Sequence, residues 1–371
     1  MLIGVPKEIK THEYRVAAVP SVVRELAHHG HEVLVESGAG AGIGILDSGY
    51  VAAGARIRPT AAAVWQEAEL ILKVKEPQLS EFPLIREDQV LFTYLHLAAE
   101  PAVTKALLAS GCVAFAYETV TDARGRLPLL APMSEVAGRM AVQVGAHCLE
   151  REIGGRGILL SGVPGVEPAN VVVLGGGVAG TNAARVALAM QARVTVIDKS
   201  IGRLTELDAL YPALNTVYAT VDAIERYVLE ADLVVGAVLV PGASAPKLVT
   251  RDMVGRMKRG AVMVDISIDQ GGCFETSRPT THAAPTFVTE GVVHYCVTNM
   301  PGAVPHTSAY ALNHATLPFV LALADRGYRK AANEDPHLLA GLNVHKGRIT
   351  HAAVAKALAL PLQHPMEAIT A

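Results

Sequence analysis

One turn constrains this chain more than any other feature. The run Val171-Val-Val-Leu-Gly175-Gly-Gly177-Val-Ala-Gly180 sets a G-x-G-x-x-G spacing between an apolar strand and a helix-compatible stretch, Thr181-Asn-Ala-Ala-Arg-Val-Ala-Leu-Ala-Met190. Gly175 makes the tight turn, Gly177 lets the backbone approach a pyrophosphate, and Gly180 lets the helix lie close on the sheet. Val178 and Ala179 open that helix, where N–H groups meet phosphate at the positive end of the helix dipole. A second strand, Val194-Thr-Val-Ile-Asp198, follows, and Asp198 stands 18 residues after Gly180. A carboxylate there accepts from a ribose 2′-hydroxyl and repels a 2′-phosphate, so the pattern predicts NAD rather than NADP.

Short apolar runs alternate with helical stretches along the rest of the chain. Strands are expected at Leu2–Val5, Glu32–Glu36, Leu70–Val74, Val90–Tyr94 and Cys112–Ala116, with helices such as Ser21–His29 and Pro101–Ala109 between them. The runs are almost continuously apolar, as strands covered on both faces should be. A second series follows a long helical segment, Ser134–Glu152, for which Ser134 is the expected N-cap. Its strands are expected at Val171–Leu174, Arg193–Ile197, Thr216–Ala219, Leu233–Gly236 and Ala261–Asp265. From Thr307–Ala324 onward the chain reads as helices with little strand content. The predicted fold is α/β: two doubly wound parallel-sheet (Rossmann-like) domains with an interdomain cleft. Residues 1–130 plus 305–371 make the substrate or catalytic domain, and 131–304 are inserted as the NAD-binding domain.

Composition excludes several other classes. The 371 residues carry 32 Lys+Arg against 35 Asp+Glu, a formal charge of −3, which lacks the basic footprint of a nucleic-acid binder. A mean hydropathy of +0.32 raises the question of a membrane span. The stretch Gly291–Ala324 holds no Asp, Glu, Lys or Arg, but His294, Asn299, Pro301, Pro305, His306, Asn313, His314 and Pro318 interrupt it, so it does not read as a bilayer helix. Met1 leads through a short β-type run to Lys7, Glu8 and Lys10 without a signal-peptide pattern. Cys112, Cys148, Cys273 and Cys296 form no C-x-x-C pair, which predicts a reducing cytoplasm and no zinc site. His28, His29 and His31 read as a solvated turn without a carboxylate spaced to complete a metal site, so no metal is expected. Gly38-Ala-Gly-Ala-Gly42 reads as a flexible loop near the cleft.

Reactive groups in open α/β sheets gather at the carboxyl ends of strands. Arg15 follows the first strand and its turn, Lys75 ends the run from Leu70, His96 ends the run from Val90, and Asp269 follows Val262–Ile268. A guanidinium grips a carboxylate bidentately. A lysine or histidine in a partly dry site polarises a carbonyl or moves a proton. Asp269 can act as acid or base, or stabilise a developing ammonium charge. A lone Arg, Lys or His has a bland reading as well, as a solvated charge or a structural hydrogen bond.

Several of these segments carry a family resemblance. Gly4-Val-Pro-Lys-Glu-Ile-Lys with Arg15-Val-Ala, Leu72-Lys-Val-Lys75-Glu-Pro, Gly175–Gly180, Gly236–Gly242, Asp265-Ile-Ser-Ile-Asp269-Gln-Gly-Gly and Thr298-Asn-Met-Pro301 resemble the alanine dehydrogenase and pyridine nucleotide transhydrogenase superfamily across almost the whole chain. The resemblance implies NAD-dependent reversible oxidative deamination of L-alanine to pyruvate and ammonium by a homohexamer, with small-molecule substrates and neither nucleic-acid nor membrane partners. It implies that Arg15 and Lys75 bind substrate and that His96 and Asp269 transfer protons. Ser134 would help hold the dinucleotide phosphates, and Asp198 with Arg203 would flank the adenosine ribose. Leu239, Val240, Ile266, Ser267, Ile268, Asp269, Thr298, Asn299, Met300 and Pro301 would line the nicotinamide half. His306 stands where the family more often has Arg or Lys. The alternatives are a transhydrogenase nucleotide-binding subunit, whose counterparts lack His96 and Asp269, and an inactive NAD-sensing module.

Overall fold

The apolar runs form strands that gather into two sheets. In chain order these are β1 (Leu2–Val5), β2 (Glu32–Glu36), β3 (Arg56–Arg58), β4 (Leu70–Leu72), β5 (Val90–Thr93), β6 (Val113–Ala116), β7 (Asn170–Leu174), β8 (Arg193–Asp198), β9 (Asn215–Tyr218), β10 (Leu233–Gly236), β11 (Val262–Asp265), β12 (Thr286–Thr289), β13 (Val292–Tyr295), β14 (Leu342–His345) and β15 (Arg348–Ile349). The computed structural model describes residues 1–238 and 245–370. The chain divides into two units, one of Met1–Met133 with Val304–Ala371 and the other of Ser134–Ala303.

The first unit orders its strands β15-β14-β6-β5-β4-β1-β2-β3, and the second β12-β13-β11-β10-β7-β8-β9. Each contains a doubly wound parallel core in which the strand order reverses, between β1 and β4 in one unit and between β7 and β10 in the other. Right-handed crossovers on both faces of a parallel sheet generate that reversal. Antiparallel strands complete one edge of each sheet: β12 on β13, and β14 on β6 with β15 beyond it. The expectation of little strand content near the C-terminus is therefore corrected. Asn343 and His345 alternate with Leu342 and Val344 in β14, and both polar residues are buried in hydrogen bonds that residue type alone does not announce.

Helices cover both faces. Val22, Val23 and Leu26 of Pro20–His28 pack on one side of the first sheet with Ile3, Val5 and Val35, while Val64, Trp65 and Leu107 pack on the other with Ile71 and Leu91. The 22-residue helix Pro305–Arg326 belongs to this unit and is tied in by buried Asn313. Its amide donates to Val16 O (3.0 Å) and its Oδ1 accepts from Val19 N–H (2.6 Å). Among the described residues no helix is long and apolar enough to cross a membrane.

Ser134 is not an N-cap. The helix runs Ala131–Cys148, so Ser134 is its fourth residue. Ala131 N–H bonds to Leu127 O, and Pro132 fits the first turn, where its missing N–H has no intrahelical acceptor to lose. Two glycines on this helix permit close packing in the second unit. A Cβ on Gly138 would lie 2.1 Å from Ala179 O, and one on Gly145 would lie 2.7 Å from the Leu233 side chain.

Candidate active site

The neighbouring strands β5, β4 and β1 of the first unit end on one edge, and Arg15, Lys75 and His96 lie in the loops that follow them. This is the edge on which open parallel sheets bind ligands, beside the point of strand reversal. Arg15 is buried, and Glu13 grips it twice: Nε donates to Oε1 (2.7 Å) and Nη2 to Oε2 (2.5 Å). Arg15 N–H also donates to Oε1 (3.0 Å), and Nη1 meets Met133 Sδ at 3.0 Å. Burial alone would raise the Glu13 carboxyl, but the bonds and charge of Arg15 outweigh it and hold the group at about 2. The loop geometry thus fixes a guanidinium beside the sheet edge.

Lys75 is the contrasting cation. No ion pair or hydrogen bond engages its Nζ among the described residues, while burial, and then the charge of Arg15, pull its ammonium below the usual lysine range. Its neighbour Lys73 is wholly buried and instead structural, held at 3.1 Å by both Glu8 and Glu81. Glu8 also accepts from Val74 N–H (2.6 Å) and Lys75 N–H (3.4 Å), which fixes the backbone from which Lys75 extends. Glu76 is taken up by Lys10 and Gln78. Of two lysines separated by one residue, one is paired with carboxylates and the other has its proton affinity lowered.

His96 adopts a left-handed backbone conformation (φ 49°), uncommon outside glycine. Its ring is partly exposed and stacks on buried Tyr94 with centroids 5.9 Å apart and planes 7° from parallel. Tyr94 OH donates to Leu129 O (2.6 Å).

In the second unit the glycine-rich turn follows β7, and its three spaced glycines have separable reasons. Gly175 has φ 97°, and a Cβ there would approach Ala237 O to 2.7 Å. A Cβ on Gly180 would sit 1.8 Å from Gly175 O. Gly177 is different, because among the described residues a Cβ would meet no atom within 4 Å. A backbone that is to approach a pyrophosphate needs such an open side. Val178 and Ala179 begin the helix Val178–Ala189, whose N-terminus faces that open space. Asp198 ends β8 and accepts from Gly176 N–H (2.7 Å) and Ser200 N–H (2.8 Å). Arg203 reaches back to Gly176 O and Thr181 Oγ1, each at 2.6 Å. The donor turn, the carboxylate and the helix end fit a dinucleotide.

Leu239 and Val240 follow β10 and lie outside the described residues. After β11, Ile266, Ser267, Ile268 and Asp269 form a 3-10 turn through Gln270, with Ser267 and Ile268 buried and Asp269 exposed. Buried Asp265 shapes this turn, accepting from Ser267 N–H (3.0 Å), Cys273 N–H (2.9 Å) and Ser277 Oγ (2.6 Å). Burial raises the Asp265 carboxyl against these bonds. After β13 come Thr298 and Asn299, the latter at φ 59°, and then the buried Met300 and Pro301. Ser134 is half-buried in the first turns of its helix.

Sequence reasoning missed the carboxylates that organise these groups: Glu8, Glu13, Glu118 and Asp265. For Glu13 a signal existed, an acid two residues before a candidate arginine. It also missed the acid beside the histidine turn. Asp325, distant in sequence, bonds His29 Nδ1 (3.2 Å) and His31 Nε2 (2.8 Å). Among the described residues no group of three His, Cys, Asp or Glu is placed to hold a metal. The Gly38–Gly42 segment leads into a 3-10 turn, Ala41–Ile43, whose Gly42 packs against the Tyr14 backbone.

Comparison with known proteins adds an independent line. Residues 4–137 match the family model described as alanine dehydrogenase/PNT, N-terminal domain, and residues 141–352 match the corresponding C-terminal domain. The chain is 62% identical to an alanine dehydrogenase of Halomonas elongata over 361 residues, 97% of each protein. It is 55% identical to an alanine dehydrogenase of Mycobacterium tuberculosis over 98% of this chain and 99% of that one. A solved L-alanine dehydrogenase superposes with a TM-score of 0.94 at 51% identity, covering 97% of this chain and 99% of the other. A transhydrogenase from Sinorhizobium meliloti superposes at 0.81 with 26% identity, covering 95% and 100%.

Proposed function

Because the chain belongs to the alanine dehydrogenase/PNT family, we propose that it catalyses the reversible, NAD-dependent oxidative deamination of L-alanine to pyruvate and ammonium. The observation that carries this reading is the near-full-length identity of 62% to a protein named alanine dehydrogenase. Lys75 supports it from the site itself, as a half-buried amine that feels the charge of a fixed guanidinium.

In this reading the glycine turn 175–180, Ser134, Asp198 and Arg203 hold NAD, and the segments 239–240, 266–269 and 298–301 line its nicotinamide half. Bound NAD supplies the acceptor for the hydride that leaves alanine Cα. The chain's own residues do the rest. Arg15, pinned by Glu13, offers positive charge to the substrate carboxylate. Lys75 holds the carbonyl side, and its lowered proton affinity eases release and recovery of a proton. Loss of a proton from the ammonium and of hydride from Cα leaves a protonated imine; water adds to its carbon and gives up a proton, and ammonia departs as the hydroxyl of the resulting carbinolamine gives up its own. His96 and Asp269 take the proton from the attacking water and return one to the leaving nitrogen. Asp198 accepts from the ribose hydroxyls and disfavours the 2′-phosphate of NADP.

We assign the substrate side to residues 1–130 plus 305–371 and the NAD side to 131–304, and infer a cytoplasmic homohexamer. All four cysteines are unbonded and buried, which agrees with a reducing compartment. The test is an absorbance assay of the nicotinamide, with NAD and L-alanine in one direction and NADH, pyruvate and ammonium in the other. Turnover is expected both ways; none in either would overturn the assignment.

A further inference from the structure

The turn that carries His96 is held by a carboxylate from the next strand's loop. Glu118 lies in the 3-10 turn Tyr117–Thr119, directly after β6, and β6 pairs with β5, which His96 follows. Its Oε1 accepts from His96 N–H (2.6 Å) and from Leu95 N–H (3.2 Å), and its Oε2 also lies 3.2 Å from Leu95 N. One side chain thus caps two successive N–H groups of a segment that no strand ladder satisfies. The same segment includes the left-handed residue His96, a conformation that persists only where the surroundings hold it.

The carboxylate also faces the ring. Glu118 Oε1 stands 3.9 Å from His96 Nδ1, and among the described residues no hydrogen bond engages Nε2. Tyr94 covers one face of the imidazole. The ring is therefore bounded by Tyr94 on its face and by negative charge on its Nδ1 side, with Nε2 left to an incoming group. The other titratable groups that sense Glu118 are Tyr94, whose hydroxyl is committed to Leu129 O, and His351, at the start of the helix Ala352–Leu358.

We propose that Glu118 is a positioning residue for His96: it fixes the left-handed turn through two N–H groups and sets a negative charge beside Nδ1, so that Nε2 exchanges protons with the reacting substrate. This rests on the reading that His96 moves a proton in the deamination. A carboxylate so placed orients the ring, as the carboxylate partner of a general-base histidine does.

Two substitutions separate the two roles. Glu118→Gln keeps an oxygen for His96 N–H and Leu95 N–H but removes the charge; Glu118→Ala removes both. Steady-state kinetics across pH, NAD affinity and thermal melting are measured on the full chain, beside Glu118→Asp and a His96→Ala control. Glu118→Ala is expected to lower kcat about a hundredfold, within the range of a displaced acid–base group, with NAD affinity within about twofold of the original. Glu118→Gln should retain more activity, and the pH limb that His96→Ala abolishes should move to lower pH. Glu118→Asp should restore the position of that limb. Original kcat and pH profile in Glu118→Gln, with His96→Ala inactive, would overturn the positioning role alone. Full activity in His96→Ala would instead remove the reading beneath it. If Glu118→Ala melts before it can be assayed, the Gln variant still decides.

Discussion

Lys75 and Glu13 show what individual side chains contribute beyond their type. A half-buried amine whose proton affinity is lowered by desolvation and by Arg15 can do what a permanently charged group cannot, give up its proton. Lys75→Arg keeps the charge and cannot lose a proton at ordinary pH. It should reduce turnover at least about a hundredfold while NAD affinity, measured by fluorescence titration, stays unchanged. Retained turnover would confine Lys75 to electrostatic binding. Glu13 carries a stability prediction with a definite sign. Its folded carboxyl sits at about 2, below its ordinary value of 4.5, so its contribution is complete above about 4.5 and is lost as pH falls towards 2. Glu13→Gln removes the carboxylate that pairs with buried Arg15, a change that costs roughly 3–5 kcal/mol. Urea unfolding should show that gap from the original protein near pH 7 and a narrowing gap between pH 4.5 and 2. A gap independent of pH would mean that the loss is one of packing rather than charge. Glu13 had a signal in its spacing to Arg15, but the fates of the lysines were not legible, because burial is set by the tertiary fold: Lys73 and Lys75 stand one residue apart and have opposite environments.

At the scale of elements, the glycine-rich turn offers the sharpest separation of fold from binding. Gly177→Ala adds a methyl that touches no atom of the described residues, so its melting temperature should stay within a degree or two while NAD affinity falls at least about tenfold. Gly180→Ala must push the helix Val178–Ala189 off β7, since its methyl would lie 1.8 Å from Gly175 O. That variant should lose about 2 kcal/mol or more of stability even without nucleotide, as overpacking does. Equal melting of the two variants would show that the close approach of helix to strand does not matter. The turn was readable because its spacing encodes backbone geometry, and the buried parallel strands were readable because both faces demand apolar residues. The strands that escaped notice are β3, β12, β13, β14 and β15; β13, Val292–Tyr295, is buried and apolar apart from His294, and the others are short or polar. Arg56–Arg58 is largely charged, Thr286–Thr289 is a half-exposed edge, and Leu342–His345 mixes buried polar with apolar positions. Each exists because a neighbouring strand offers hydrogen-bonding groups, a condition external to its own residues. The helix start at Ala131 escaped for a similar reason, since Leu127 O receives its first N–H.

The whole molecule is asymmetric in how its units use the chain. The second unit is one continuous stretch, Ser134–Ala303, with its own seven-stranded sheet and a core of Val172, Val234, Met263 and Phe274 among others. The first unit is assembled from two separated stretches. Its early part, Met1–Met133, lacks β14, which pairs along β6, and lacks the buried Leu312, Val320, Leu323, Leu338 and Leu342. At roughly 1.5–3 kcal/mol for each buried side chain, those five alone approach the whole net stability of a typical domain, about 5–15 kcal/mol. Asn313 adds its two bonds to the backbone at Val16 and Val19, and without it those groups must find other partners. A fragment of residues 131–303 is therefore expected to fold, melt cooperatively and bind NAD. With Arg15, Lys75 and His96 absent it should not turn over alanine. A fragment of residues 1–130 should stay unfolded by circular dichroism and gain structure only when residues 305–371 are supplied. Cooperative melting of residues 1–130 alone would mean that the C-terminal stretch decorates this unit rather than completing it. Failure of 131–303 to bind NAD would place part of the nucleotide site on residues outside that stretch.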